Sequence, residues 1–204
     1  MSVLAERPVA DAAAIPFDRA RRAMIDSQLR TSGVTDPQVI AAMGRVARED
    51  FVPAAARASA YVDRAIALGE GRFLAAPLFH GRMLAEAALR GDDTVLVVEG
   101  GSGYLAELVR PLVAALDSVA AGATAKKRKG GYSLMLVDGA IEALPDALAA
   151  QLAEGGRIVT GLVTRGVTRL AVGRKVGGAV SLLSLAEMGI PLLREFAAPK
   201  RWSF

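Results

Sequence analysis

The stretch from Val95 to Leu108, VLVVEGGSGYLAEL, constrains the fold of this 204-residue chain more than any other segment. Its apolar, β-branched run does not alternate, which is typical of a strand covered on both faces of a sheet. A glycine-rich turn and a helical pattern follow, and this order predicts a parallel α/β sheet whose turn approaches a nucleotide-like ligand. Glu99 stands where such a turn normally begins with glycine. The stretch alone therefore leaves open whether the turn still binds a ligand.

The flanking segments extend this prediction to the rest of the chain. Residues 17–90 have mainly helical patterns, whereas strands and helices alternate over residues 94–204 until two runs joined at Gly-Gly predict an antiparallel hairpin. The order predicts an α/β protein with a mostly parallel sheet, a helical N-terminal extension and an antiparallel edge. We expect one domain over residues 17–204, after a loose arm of residues 1–16. Without a signal-peptide pattern or a run of membrane-spanning length, the sequence favours a soluble, cytoplasmic protein.

Composition excludes several kinds of site. The chain has no cysteine, so it has no disulfide or thiolate metal site, and its single histidine, His80, excludes a metal site with two imidazoles. His80 is predicted to lie at the surface or to cap a helix. The basic run Lys126–Lys129 is short and lacks a recognition motif, which gives nucleic-acid binding little support. Trp202 and Phe204 in the C-terminal tail either pack on the domain or dock to a partner.

Four ordered segments resemble one protein family. They cover most of residues 18–160 and resemble the protein-L-isoaspartate O-methyltransferases. The resemblance implies a Rossmann-like methyltransferase fold, S-adenosylmethionine (SAM) as cofactor, and methyl transfer to the carboxylate of an isoaspartyl residue in damaged protein. The segments are MIDSQLRTSGVTDPQVIAAMGRVAREDFVP, AYVDRAIALGEGRFLAAP, VLVVEGGSGYLAELV and ALPDALAAQLAEGGRIV.

The glycine turn departs from the family pattern. The family usually reads G-x-G-x-G, and the matching positions here are Glu99, Gly101 and Gly103. Glutamate brings a side chain and a negative charge close to the methionine portion of the cofactor. There it either repels the cofactor's carboxylate or pairs with its ammonium group. A structural alternative is that Glu99 caps the following helix.

The ribose end of the cofactor site is also altered. The family usually has a glutamate at the end of the second strand, and ungapped counting places Ala120 there. Asp117 takes that role only if the strand slips by three residues, which also turns the side chain to the other face. Asp138 follows the third recognisable strand beside the expected cleft, where it either binds a ligand or shapes a turn.

Two further departures concern the substrate side and the sheet. The family serine and glutamine that precede Pro77 are Ala75 and Ala76, so a substrate carboxylate loses a hydrogen-bond partner. Asp63 lies in a matching segment and either shapes the substrate side or has a structural role. Residues 120–132 are too few for the helix and third strand that the family places there, since a strand-helix-strand unit needs roughly thirty residues. One crossover is therefore deleted.

The sequence supports two hypotheses about function. In the first, the protein keeps the family fold, has lost most of its SAM and substrate sites, and acts as a binding or scaffold protein. The deleted strand leaves a sheet edge that a second copy of the chain or another protein is expected to cover. In the second, the protein is an active SAM-dependent carboxyl methyltransferase with a rearranged pocket, in which Glu99 pairs with the ammonium and Asp117 or Asp138 binds the ribose.

Overall fold

The computed structural model describes residues 17–198, so the predicted N-terminal arm and the tail with Trp202 and Phe204 lie outside the described residues. The first elements are helical. Helix α1 (Phe17–Met24) continues into a π-helical turn (Ile25–Leu29), and its apolar side faces the core. Helix α2 (Pro37–Arg45) begins after Asp36, whose Oδ1 accepts the N–H of Gln38 at 2.8 Å, as the Asp-Pro pair predicts. No helix within residues 17–198 is long and apolar enough to cross a membrane.

The remaining elements form a small hairpin and a six-stranded sheet. The sheet has the order β4-β3-β5-β6-β7-β8, with parallel pairing from β4 to β6 and antiparallel pairing from β6 to β8. This arrangement confirms the mostly parallel sheet with a C-terminal hairpin. The bounds are β1 (Ile66–Gly69), β2 (Arg72–Leu74), α3 (Pro77–Ala87), β3 (Thr94–Glu99), α4 (Tyr104–Val109), β4 (Ala115–Ala120), β5 (Tyr132–Ile141), α5 (Asp146–Ala149), β6 (Leu152–Thr164), β7 (Val167–Val176) and β8 (Ala179–Glu187).

Strand β3 is covered on both faces, as its unbroken apolar sequence predicts. Val95 and Val97 pack in a buried cluster with α2, α3 and α4, whereas Leu96 and Val98 belong to a second buried cluster on the opposite face. Residues 121–131, which link β4 to β5, form neither helix nor strand. Within the described range β4 therefore has a neighbour on one side only, in agreement with the predicted deletion.

Two local predictions are wrong. Gly69 and Gly71, together with Pro77, predict a loop from the sequence. The segment instead forms the antiparallel pair β1–β2, whose turn residues Glu70 and Gly71 have φ values of 51° and 74°. The segment PDALAAQLAEGG, with proline first and Gly-Gly last, predicts a helix over its whole length, but the helix ends at Ala149. It ends early because the chain turns into β6, which pairs with β5 from Leu152 onward. Pairing within the sheet outweighs the helical propensity of this alanine-rich stretch.

Asp93 connects the start of β3 to three other elements. It is 2% exposed and accepts hydrogen bonds from the Arg90 N–H, the Ser133 hydroxyl of β5 and Nη2 of Arg157 on β6, the last at 2.6 Å. Arg157 also donates to the carbonyl of Ala87, at the end of α3. Burial acts to raise the pKa of Asp93, but the bonds from Arg157, Ser133 and the Arg90 N–H outweigh it and lower that pKa. The ionised Asp93 carboxylate therefore links the start of β3 to β5 and β6.

We expect Arg157→Met to lower the free energy of unfolding by about 3–5 kcal/mol, because it leaves the buried Asp93 carboxylate without its cation. Urea denaturation at neutral pH measures this change. Arg174→Met is the matched control, since the described contact of Arg174 is one hydrogen bond to the exposed carbonyl of Gly155. Equal stabilities of the two variants would contradict the role given to Asp93.

Candidate functional site

The glycine turn after β3 packs directly against β5. Gly101 and Gly103 have φ values of 117° and 74°, which favour glycine over any residue with a side chain. A Cβ atom at Gly100 would overlap the main-chain oxygen of Asp138 on β5. Glycine is thus required here for the approach of two strands, and the approach brings Glu99, the last residue of β3, close to Asp138.

The carboxyl group of Glu99 is enclosed at this junction. Both of its oxygens are buried and neither has a hydrogen-bond partner. Burial, followed by repulsion from Asp138, raises the pKa of Glu99 to about 7, although the nearby Gly103 N–H and Arg110 act in the opposite direction. The carboxyl therefore loses its proton at a much higher pH than an exposed glutamate does. Glu99 makes no side-chain hydrogen bond to helix α4, and the N–H of Tyr104, the first residue of that helix, is instead accepted by the Ser102 hydroxyl.

A buried polar chain lies behind Asp138. His80, predicted to be at the surface, is fully buried, and its Nε2 lies 2.8 Å from Oδ1 of Asp138. Nη1 of Arg48 lies 3.3 Å from Nδ1 of His80. Because a guanidinium only donates, Nδ1 accepts, and Nε2 carries the hydrogen that is donated to Asp138. Arg48 also donates to the carbonyls of Ala60 and Ala75, so it ties three segments of the N-terminal half together.

A signal for the burial of His80 is present in the sequence. His80 precedes Met83 and Leu84 by three and four residues, so all three lie on the apolar side of α3, and all are buried. Its partner could not be inferred in this way, because Asp138 lies 58 residues further along the chain. Oδ2 of Asp138 is buried without a partner, next to the Glu99 carboxyl.

The structure does not bring Asp117 to this junction. Ala120 lies opposite Glu99 in the β3–β4 register, so the strand has not slipped and Asp117 lies three positions earlier. The Asp117 side chain points to the other face of β4, where Oδ2 accepts the Tyr132 hydroxyl at 2.9 Å and pairs with Arg128 at 3.4 Å. Of the predicted cofactor residues, the structure thus groups Glu99, Asp138 and the glycines of the turn, and it places Asp117 apart from them.

The two positions expected on the substrate side carry only methyl side chains. Ala75 is 1% exposed, and its carbonyl is bonded to Arg48. Ala76 lines a cavity of about 370 Å³ together with Asp63 and Arg64. Asp63 also accepts the N–H of Leu78 at 3.0 Å, in the first turn of α3, so its carboxylate has a structural contact as well as a place beside the cavity.

We expect Glu99→Gln to stabilise the protein at neutral and alkaline pH but not in acid. The folded-state pKa is raised from 4.5 to about 7, so ionisation of Glu99 destabilises the fold progressively as the pH rises through that interval. At about pH 8 the variant should gain up to about 3 kcal/mol, and below about pH 4.5 it should gain nothing. Urea denaturation at both pH values measures this, with the surface residue Glu86→Gln as control. A gain that is the same at both pH values would contradict the enclosed carboxyl.

Comparison with known proteins identifies the family. A family model for protein-L-isoaspartate(D-aspartate) O-methyltransferase (PCMT) matches residues 19–121. The protein-L-isoaspartate O-methyltransferase of Methylorubrum populi is 36% identical over 167 residues, which cover 70% of this chain and 79% of that protein. The enzyme of the same name from Koribacter versatilis is 32% identical over 210 residues, covering 90% of this chain and 94% of that protein.

Solved structures agree with the fold. A protein-L-isoaspartate O-methyltransferase from Plasmodium falciparum, in complex with S-adenosyl-L-homocysteine (SAH), superposes with a TM-score of 0.66 at 16% identity, covering 89% of this chain and 99% of that one. A second structure with the same enzyme name has a TM-score of 0.69 at 15% identity, covering 89% of this chain and 67% of that one. The family match, the two relatives and the shared fold together show that this chain belongs to the protein-L-isoaspartate O-methyltransferase family.

Proposed function

We propose that this protein has kept the family fold but no longer transfers methyl groups from SAM to isoaspartyl residues, and that it acts by binding another protein. The observation that carries this proposal is the Glu99 carboxyl in the glycine turn, with both oxygens enclosed. A ligand that approaches the turn closely needs bare backbone there, because glycine leaves room for it. The Glu99 side chain instead adds a second carboxyl group to the turn, beside that of Asp138.

The surrounding residues also fit SAM poorly. Ala120 offers no oxygen to the ribose hydroxyls at the end of β4, and the carboxylate of Asp117 is engaged with Tyr132 and Arg128 on the other face. Ala75 offers no side-chain donor to a substrate carboxylate. Each missing hydrogen bond to a charged group costs roughly 1.5–3 kcal/mol of binding. Hydrogen bonds lost both to the cofactor ribose and to the substrate carboxylate support the proposal that the protein no longer transfers methyl groups.

The second candidate function is an active carboxyl methyltransferase with a rearranged pocket. The observation in its favour is Oδ2 of Asp138, a buried acceptor without a partner at the edge where ligands bind in such sheets. In this alternative Asp138 holds the ribose and the ionised Glu99 holds the ammonium of the cofactor. The two functions differ in one measurable quantity, the affinity of the protein for SAM and SAH.

We expect calorimetric titration of the full chain to show no binding of SAM or SAH tighter than about 100 μM, which corresponds to about 5–6 kcal/mol. The Plasmodium falciparum enzyme, whose structure contains SAH, is the positive control. Glu99→Gly is the informative variant, because a gain in SAH affinity would identify the carboxyl as the obstacle. Tighter binding by the wild-type chain, or methyl transfer to an isoaspartyl peptide, would contradict the proposed function and favour the alternative.

The binding role is assigned to the open edge of β4. Ala115 and Ala121 direct their N–H groups toward Asp93 and Glu99 of the β3 side. By strand alternation, the N–H groups of Leu116, Ser118 and Ala120 therefore point away from the sheet. A free row of this kind readily pairs with another strand, and proteins rarely leave it uncovered. We propose that a second copy of the chain, or another protein, covers it, in the cytoplasm as expected from the sequence.

Ser118→Pro tests the edge without disturbing the β3–β4 pairing, since proline removes an N–H that points outward. We expect the wild-type chain to sediment as an oligomer, or a protein partner to be co-purified with it from cells. The variant should lose that association. Ser118→Ala, which keeps the N–H, should behave as the wild type. A monodisperse wild-type monomer without a recovered partner would contradict the assigned role of the edge.

A further inference from the structure

The chain returns to the candidate site after its last strand. β8 lies at the far edge of the sheet, yet the segment that follows crosses back to β5. Ala140 of β5 donates its N–H to the carbonyl of Pro191 at 2.7 Å and accepts the N–H of Leu193 at 2.8 Å. Further along, the carbonyl of Phe196 accepts the N–H of Glu142 at 3.1 Å. We call this segment, residues 190–198, the C-terminal strap.

Two side chains of the strap fill apolar space at the carboxyl ends of the strands. Leu193 packs so closely on Gly139 that a Cβ there would lie 2.6 Å from the Leu193 Cγ. Phe196 is 7% exposed and belongs to one buried cluster with residues from the ends of β3 and β5 and from the link after β4. Open α/β sheets bind their ligands at this edge. The cluster includes Val98, Ala121, Ala125, Ile141 and Leu148.

An ion pair closes the strap over the glycine turn. Glu195 of the strap pairs with Arg72 of the β1–β2 hairpin at 2.9 Å, and both side chains are about one-third exposed. The stem of Arg72 covers Gly101, where an added Cβ would lie 2.8 Å from the Arg72 Cβ. Glu195 in turn covers Gly122, at 3.0 Å between its Cγ and an added Cβ. The hairpin and the strap thus meet above the entrance to the crevice.

We infer that the C-terminal strap is an internal plug of the ligand crevice. The Phe196 ring lies in the apolar space that a planar base would need, and the Arg72–Glu195 pair closes the entrance beside Gly101. A nucleoside can enter only if the strap leaves. This inference goes beyond the loss of methyl transfer, because it concerns occupied space rather than missing polar groups. With every polar group restored, the strap would still exclude a ligand.

The absence of cysteine from the chain allows a direct test with a single thiol. Ala121→Cys places a small reporter in the same buried cluster as Phe196, at a residue that is 6% exposed, and Leu183→Cys gives an exposed reference at 66%. In the native protein we expect a thiol reagent to label the Ala121 position at least about tenfold more slowly than the Leu183 position, with equal rates in urea. Equal native rates would overturn the plug.

Substitutions in the strap then identify what protects the reporter. Phe196→Ala, combined with Ala121→Cys, should raise the labelling rate about tenfold, because it removes the largest side chain that the strap adds to the cluster enclosing the reporter. Leu192→Ala is the matched control, since Leu192 lies in the same segment but is 39% exposed, and it should leave the rate nearly unchanged. A Phe196→Ala variant that labels no faster than the Leu192→Ala variant would overturn the inference.

The ion pair is tested in the same background. Arg72→Ala should raise the labelling rate about two- to fivefold, the range expected for a partly exposed pair. Arg169→Ala, which breaks the pair with Glu187 away from the crevice, should have no effect. All these rates are measured without cofactor, so they test the strap alone. Binding of SAH to the wild-type chain would overturn the proposed loss of activity while leaving the labelling result to decide the plug.

Discussion

The close approach of β3 and β5 at their carboxyl ends is the constraint on which the rest of the site depends. Gly100 allows it, since any side chain at that position would overlap the main-chain oxygen of Asp138. The approach places two buried carboxyl groups, those of Glu99 and Asp138, close to each other. Oδ1 of Asp138 accepts a hydrogen bond from His80, which is in turn bonded to Arg48. The Glu99 carboxyl has no hydrogen-bond partner, and its pKa is raised toward neutrality.

This constraint changes what a preserved glycine turn implies. Gly100 is needed for packing on β5, and Gly101 and Gly103 have backbone conformations that favour glycine whether or not a ligand is present. The turn therefore retains its glycines for reasons internal to the fold. Residues that serve only a ligand, such as a sugar-binding acid after β4, are under no such requirement, and Ala120 stands in that place. We propose that, for this reason, the fold has been kept although the methyl-transfer activity has been lost.

The sequence predicted the features that rest on local pattern. The buried strand, the Asp36 cap, the hairpin around Gly177 and the missing crossover all follow from short-range periodicity, turn chemistry and chain length. It failed where distant residues determine the outcome. The burial of His80 follows from its spacing to Met83 and Leu84, but its partner Asp138 is distant in sequence. The position of Phe196 likewise depends on the link after β4, so neither contact could be inferred from the local sequence. The shortened helix α5 shows the same effect, because pairing with β5 determines where β6 begins.

The crevice is thus altered in two independent ways, by an enclosed carboxyl in the turn and by a strap that fills the apolar space beside it. The most direct measurement is a crystal structure of the full chain grown with a large excess of SAH. The account predicts the Phe196 ring in contact with the residues after β4, the Arg72–Glu195 pair closed, and no nucleoside in the crevice. Density for the nucleoside beside Gly101, with its ribose held by Asp138 and the strap displaced, would contradict it.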